Sequence, residues 1–180
     1  MAFGKAFLLS LVAFVGLNFI FSIISLALGL GIGVLLDIFN PGSPNYAPLM
    51  LLFYLFGSIV STPTLIFNYI IFQPFLGTFV LEIFLFWLGY LIAPIIAAIL
   101  AGRFGESKSQ CFGAWALTAA ISTVTVIIAA LLSNITQTAL LNLYFLASFE
   151  QLLIFAIISC VINILFYGFF ALLLSKIEYY

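Results

Sequence analysis

The chain has 180 residues, 67% of them apolar and 5% charged, with four lysines and arginines, five acidic residues and no histidine. A soluble domain carries about a quarter charged residues to face water, so the composition excludes a water-soluble globule and gives most of the surface to lipid. The missing histidine removes the commonest general acid–base and metal ligand, and four basic residues make no patch for nucleic acid; catalysis, a bound metal or other cofactor, and a nucleic-acid partner are not expected.

Lys5, Asp37, Arg103, Glu106, Lys108, Glu150, Lys176 and Glu178 sit at the ends of long uncharged runs, and Glu82 alone lies inside one. The runs are Ala6–Leu36, Leu49–Phe72, Phe75–Ala101, Cys111–Leu132 and Gln151–Ser175, each long enough to cross a hydrocarbon core that needs about 20 helical residues. Strict alternation is absent, so these are helices rather than barrel strands. The expected fold is a single all-α, polytopic helical membrane domain over residues 1–180, with five membrane-embedded segments.

The first run is about twice the length of a signal-peptide apolar core and reads as a retained membrane segment. It carries a small and polar stripe, Asn18, Ser22, Ser25, Gly29 and Gly33, ending in a GxxxG spacing suited to close helix packing. Asp37 to Pro48 holds three prolines and reads as an interfacial loop.

The second run has Ser61-Thr62-Pro63-Thr64 at its centre. Pro63 removes a donor and disfavours helix at Thr62, so the segment is kinked or re-entrant there. If it crosses, Lys5 lies on the opposite side from Arg103, Lys108 and Lys176; if it folds back, all four share one face, as the positive-inside rule prefers. Both topologies stay open.

In the third run Glu82 is the sharpest candidate for an ion- or proton-binding carboxylate, because an intramembrane charge is costly, about 2.5–3.5 kcal/mol at the bilayer centre. The alternative is that it reaches interfacial water near the start of its run. Phe86, Gly89, Ala93, Ala97 and Ala101 follow on its face, a stripe where another helix packs closely. The polar connection Gly102–Gln110, with Arg103 and Lys108, is the expected cytoplasmic loop.

After the fourth run, residues 133–149 mix polar and apolar side chains and suit a short interfacial helix. They include the glycosylation-like triplet Asn134-Ile135-Thr136. Cys111 and Cys160 fall at different depths and are expected free and buried. Trp115, Tyr46, Tyr144, Tyr179 and Tyr180 lie near run ends and read as interface anchors.

Counting thirteen residues inward from Lys5, Lys176 and Arg103 reaches Asn18, Asn163 and Tyr90, and from Lys108 reaches Ile121, beside Ser122 and Thr123. That is about 20 Å of helix, near the bilayer midplane. Four helices thus place a hydrogen-bonding group at similar depth, as interhelical glue or as a solute site. Run, extra element, run also describes both halves of the chain, a weak internal repeat.

The expected function is a small permease or channel component for a small solute or ion, using Glu82, Asn18, Tyr90, Ser122 and Asn163. Such a bundle implies a homo-oligomer or a partner membrane subunit. The alternative is a non-catalytic structural or assembly subunit acting through the stripes Ser25-Gly29-Gly33 and Gly89-Ala93-Ala97-Ala101. The expected location is the cell membrane, with the Arg103–Lys108 loop and the C-terminus cytoplasmic.

Overall fold

The computed structural model describes residues 2–43, 46–77 and 79–175, and these form a helical bundle without strands. Four helices are long and apolar enough to cross a membrane: α1 (Ala2–Gly29), α6 (Leu81–Phe104), α7 (Lys108–Leu132) and α9 (Phe149–Leu173). Between α1 and α6 lie the short α2 (Ile32–Asp37), α3 (Met50–Phe56), α4 (Pro63–Phe67) and α5 (Gln73–Leu76), and between α7 and α9 lies α8 (Asn134–Tyr144). The protein is a polytopic helical membrane protein.

The bundle interior mixes small and polar side chains with large ones such as Phe14, Trp115, Ile59 and Leu140, and its outside is apolar. The buried face of α1 is Ala6, Ser10, Phe14, Asn18, Ser22 and Ser25, while Leu8, Val12, Ile20 and Ile24 point outward. Lipid solvates leucine as well as a protein core does, so helices associate here by close packing and hydrogen bonds rather than by hiding apolar area. Gly89 and Gly102 show how close: a Cβ on Gly89 would run into Phe21 of α1, and one on Gly102 into the backbone carbonyl of Ala171 on α9. Ala93, Ala97 and Ala101 are fully buried along the same α6 face.

Helix polarity follows from a few contacts. Lys5 Nζ lies 5.1 Å from the Phe104 ring centroid, and at the other end Gly29 abuts the Glu82 side chain, so α1 and α6 are antiparallel. The Gly102–Ala171 contact sets the C-terminal ends of α6 and α9 side by side. Gly168 meets Phe112 and Trp115, which makes α7 and α9 antiparallel. Lys5, Arg103 and Lys108, every basic residue among the described ones, therefore lie at one end, the basic end. Asp37, Glu82 and Glu150 lie at the opposite end, where α2 ends and α6 and α9 begin.

The second run is bent. Met50–Val60, which is α3 continued by a 3₁₀ turn over Gly57–Val60, meets Pro63–Leu76 at 99°. Because α1 ends and α6 begins at the opposite end of the bundle, both arms of this segment start and finish there, and its bend reaches the level of Asn18 and Asn163. Thr62 caps the returning arm by accepting from Leu65 N at 3.3 Å, with Pro63 in its first turn, where a missing N–H costs nothing. Before Pro74 the same arm widens to a π-turn over Asn68–Phe72; Pro74 cannot donate to the carbonyl four residues back and its ring crowds it.

Three boundaries differ from the uncharged runs. The first run breaks at Gly31, whose φ of 81° is a left-handed conformation that hydropathy does not register. The third run splits, its first residues closing the returning arm and its membrane helix starting at Leu81. Residues 133–149 contain one short helix that ends at Phe145, in the left-handed region at φ 54°, with Leu146 N donating to Leu141 O at 2.8 Å. Lys176, Glu178, Tyr179 and Tyr180, and hence the expected C-terminal anchors, lie outside the described residues.

Candidate functional site: a polar layer around the re-entrant turn

A sharp backbone turn in a membrane bundle exposes carbonyls that no lipid can satisfy, so neighbouring side chains must do it. Gly57, Ser58, Ile59, Val60 and Ser61 are all buried. On α9, Asn163 Nδ2 donates to the carbonyls of Ile59 at 2.7 Å and Ser61 at 2.9 Å. From α1, Asn18 Nδ2 donates to Ser58 Oγ at 2.9 Å. Ser61 Oγ pairs with Tyr144 OH from α8 at 2.8 Å. Three separate helices thus clamp one turn.

The incoming arm is held similarly. Ser22 Oγ donates to Tyr54 O at 3.2 Å, and Tyr90 OH of α6 points at Phe53 O at 3.5 Å. A Cβ on Gly57 would collide with Tyr90 OH and the Phe53 ring, so only glycine lets the 3₁₀ turn lie against α6. The returning arm stacks Tyr69 on Trp87 at 4.4 Å and 3°. On the far side of the layer, Trp115 Nε1 of α7 donates to Asn163 O at 3.3 Å, and its ring packs edge-on against Phe14 and Tyr167.

Of the residues singled out in the sequence, Asn18, Tyr90 and Asn163 come together at the turn. Ser122 is fully buried on α7 and bonds within its own helix, to Thr118 O at 2.7 Å. Glu82 does not join them: it sits in the first turn of α6, half-buried, with its side chain against Gly29 and its backbone carbonyl accepting from Ser25 Oγ at 2.7 Å. Ser25 is seven residues beyond Asn18, about 10 Å along the helix, so the carboxylate lies toward the opposite end. Gly29 touches Glu82, whereas Gly33 has open space around it.

Two residues read as interface anchors are not at the surface. Trp115 is fully buried, and Tyr144 is 8% exposed with its hydroxyl on Ser61. Position near a run end sets depth but not direction, and both rings point inward to groups their polar tips can bond. Tyr46 is exposed, as an anchor should be. Thr136 of the glycosylation-like triplet is buried and bonded to Ser133. Cys111 and Cys160 are free and buried; Cys111 Sγ donates to Gly102 O at 3.2 Å.

Among the described residues, four buried side-chain polar atoms have no hydrogen-bond partner: Asn18 Oδ1, Ser159 Oγ, Asn163 Oδ1 and Tyr167 OH. Three of them lie on one face of α9, at positions 159, 163 and 167, a helical turn apart, and the fourth belongs to the other asparagine that grips the turn. Buried polar atoms are rarely left unpaired, because each forfeits its hydration. The layer therefore has spare hydrogen-bonding capacity beyond what holding the turn requires. No His, Cys, Asp and Glu grouping able to hold a metal occurs among the described residues. An apolar cavity of about 110 Å³ between α1, α2 and α3, lined by residues such as Phe19, Leu26 and Ile38, offers a space but no chemistry.

Fold and layer together define a class, a helical membrane protein with a re-entrant segment clamped at mid-bundle by amides and hydroxyls. No protein family, curated protein or solved structure matches the chain.

Proposed function

We propose that this chain is a small permease or channel component that passes a small solute or ion through the polar layer around the re-entrant turn. One observation carries the reading: four buried, unpartnered polar atoms on α1 and α9 beside a broken helical segment. Broken helices at mid-membrane are where transporters commonly place substrate, since irregular backbone survives only where protein or a polar cavity surrounds it. Four long helices enclose a route only with help, so a second copy or a partner subunit completes it. By the positive-inside rule the basic end, with Lys5 and the Arg103–Lys108 loop, faces the cytoplasm of a cell membrane, and the re-entrant segment enters from outside.

The test is flux from liposomes holding the purified protein, comparing wild type with Asn163→Leu and Glu82→Gln. Wild-type flux abolished by Asn163→Leu and kept by Glu82→Gln supports the reading; absence of flux for small ions and polar solutes, from the chain alone and from the chain with any membrane subunit that co-purifies with it, sinks it. A packing subunit is the second reading. Its residues Gly89, Ala93, Ala97 and Ala101 are occupied by contacts within the chain, which leaves Gly33, with open space around it, to meet a partner. Co-purification of a partner that Gly33→Leu abolishes, without flux, favours it.

A further inference from the structure

The spare capacity of the layer has a sign. Asn163 must turn its amide nitrogen to the turn, because the Ile59 and Ser61 carbonyls can only accept, and this fixes its Oδ1 as a free acceptor. Asn18 Nδ2 donates to Ser58 Oγ and its Oδ1 has no donor, although the Ser58 hydroxyl, unlike a carbonyl, does not by itself fix the amide's direction. Ser159 Oγ and Tyr167 OH, a turn to either side of Asn163, can accept as well.

The arm Met50–Val60 ends at the turn with the negative end of its dipole and the returning arm starts there with its positive end, capped by Thr62, so the two dipoles offset and the free side-chain oxygens set the local chemistry. Pro94, buried within α6, has no N–H for the Tyr90 carbonyl and releases it from the helix ladder. Of the described charged groups, Asp37, Glu82 and Glu150 lie toward the opposite end and Lys5, Arg103, Glu106 and Lys108 at the basic end, so the layer offers free oxygens without carrying a formal charge.

We infer that the layer is a binding site for one small monovalent cation of the sodium, potassium or ammonium class, held by neutral amide and hydroxyl oxygens. This rests on the permease reading and names its cargo. An anion would face the free amide oxygens of Asn18 and Asn163 and find no cationic side chain in the layer, only the two hydroxyl protons of Ser159 and Tyr167. A divalent ion would find no carboxylate to offset its dehydration, whereas a monovalent ion can exchange water oxygens for protein oxygens, as unwound backbone and helix C-termini do for sodium in transporters.

The experiment is thermal unfolding of the purified protein in sodium, potassium, ammonium and choline chloride at equal ionic strength. At least one small cation is expected to raise the midpoint saturably over choline, since a ligand that binds only the folded state stabilises it. Ser159→Ala and Tyr167→Phe remove no hydrogen bond present in the structure, so both should melt in choline at or above wild type. Both should also weaken the apparent cation affinity at least tenfold. Equal midpoints in all four salts, or a cation effect that both variants retain in full, would overturn the site. Liposomes that pass a neutral solute while the protein shows no cation-dependent shift would leave the transport reading standing and remove this one. Cation stabilisation lost in the variants, without flux from the chain alone or with a co-purifying membrane subunit, would keep the site and remove the permease.

Discussion

Asn163 and Tyr167 are one helical turn apart on the same buried face, yet the structure gives them opposite energetic roles. Asn163 satisfies two carbonyls of the re-entrant turn, so Asn163→Leu strands two buried acceptors at about 1–3 kcal/mol each. Loss of roughly 2–6 kcal/mol, read as a lowered unfolding midpoint in detergent, is the expected result. Tyr144→Phe removes the bond to Ser61 and nothing else, and should cost about 1 kcal/mol. Tyr167→Phe removes a hydroxyl with no partner and should cost nothing in choline. If Tyr144→Phe and Tyr167→Phe shift the midpoint equally, the distinction between clamp and spare capacity is mistaken.

Elements here are shaped by backbone chemistry as much as by hydropathy. The break at Pro63 was legible in Ser61-Thr62-Pro63-Thr64, because proline's missing donor and its effect on Thr62 act locally. The 99° angle was not, since it depends on Asn163, Asn18 and Tyr144 arriving from three other helices. Depth counted along each helix found Asn18, Tyr90 and Asn163, because rise per residue is fixed. It could not find the roles of Ser159 and Tyr167, which are defined by what fails to reach them, nor the inward turn of Trp115 and Tyr144. The break at Gly31 was hidden in an apolar stretch for a similar reason: φ leaves no mark on hydropathy. Phe145 offers a test at this scale. It closes α8 in the left-handed region with its side chain 88% exposed, a conformation that costs a non-glycine residue roughly 1–2 kcal/mol. Phe145→Gly should therefore stabilise the protein by up to about 1 kcal/mol, as left-handed helix caps favour glycine. A midpoint lowered by this change would mean that the exposed ring contributes more in the membrane than the strain costs.

At the scale of the molecule, the two halves share a plan. Each sends a helix from the basic end to the opposite end, inserts extra helical elements there, and returns, and the two inserts meet where Tyr144 touches Ser61. This arrangement removes the conflict that a five-span reading creates, because a re-entrant second segment returns Lys5 to the side of Arg103 and Lys108. On the proposed orientation, Lys5, Arg103 and Lys108 at one end bias insertion in a single sense. Single cysteines at the exposed positions Asn40, Gln73 and Ser109, placed in a Cys111→Ala, Cys160→Ala background, test the plan in intact cells with an impermeant thiol reagent. Asn40→Cys, before the re-entrant segment, and Gln73→Cys, near the end of its returning arm, should label from the outside without lysis, while Ser109→Cys labels only after lysis. Because Asn40 precedes the segment and Gln73 follows its turn, labelling of these two from opposite sides means that the segment crosses, which would break the shared plan and separate Lys5 from the other basic residues. If the plan holds, Lys5→Glu combined with Arg103→Glu removes most of the charge bias and should yield a mixed population, with Ser109→Cys partly labelled in unlysed cells. A still uniform orientation in that variant would show that something other than these charges sets the topology.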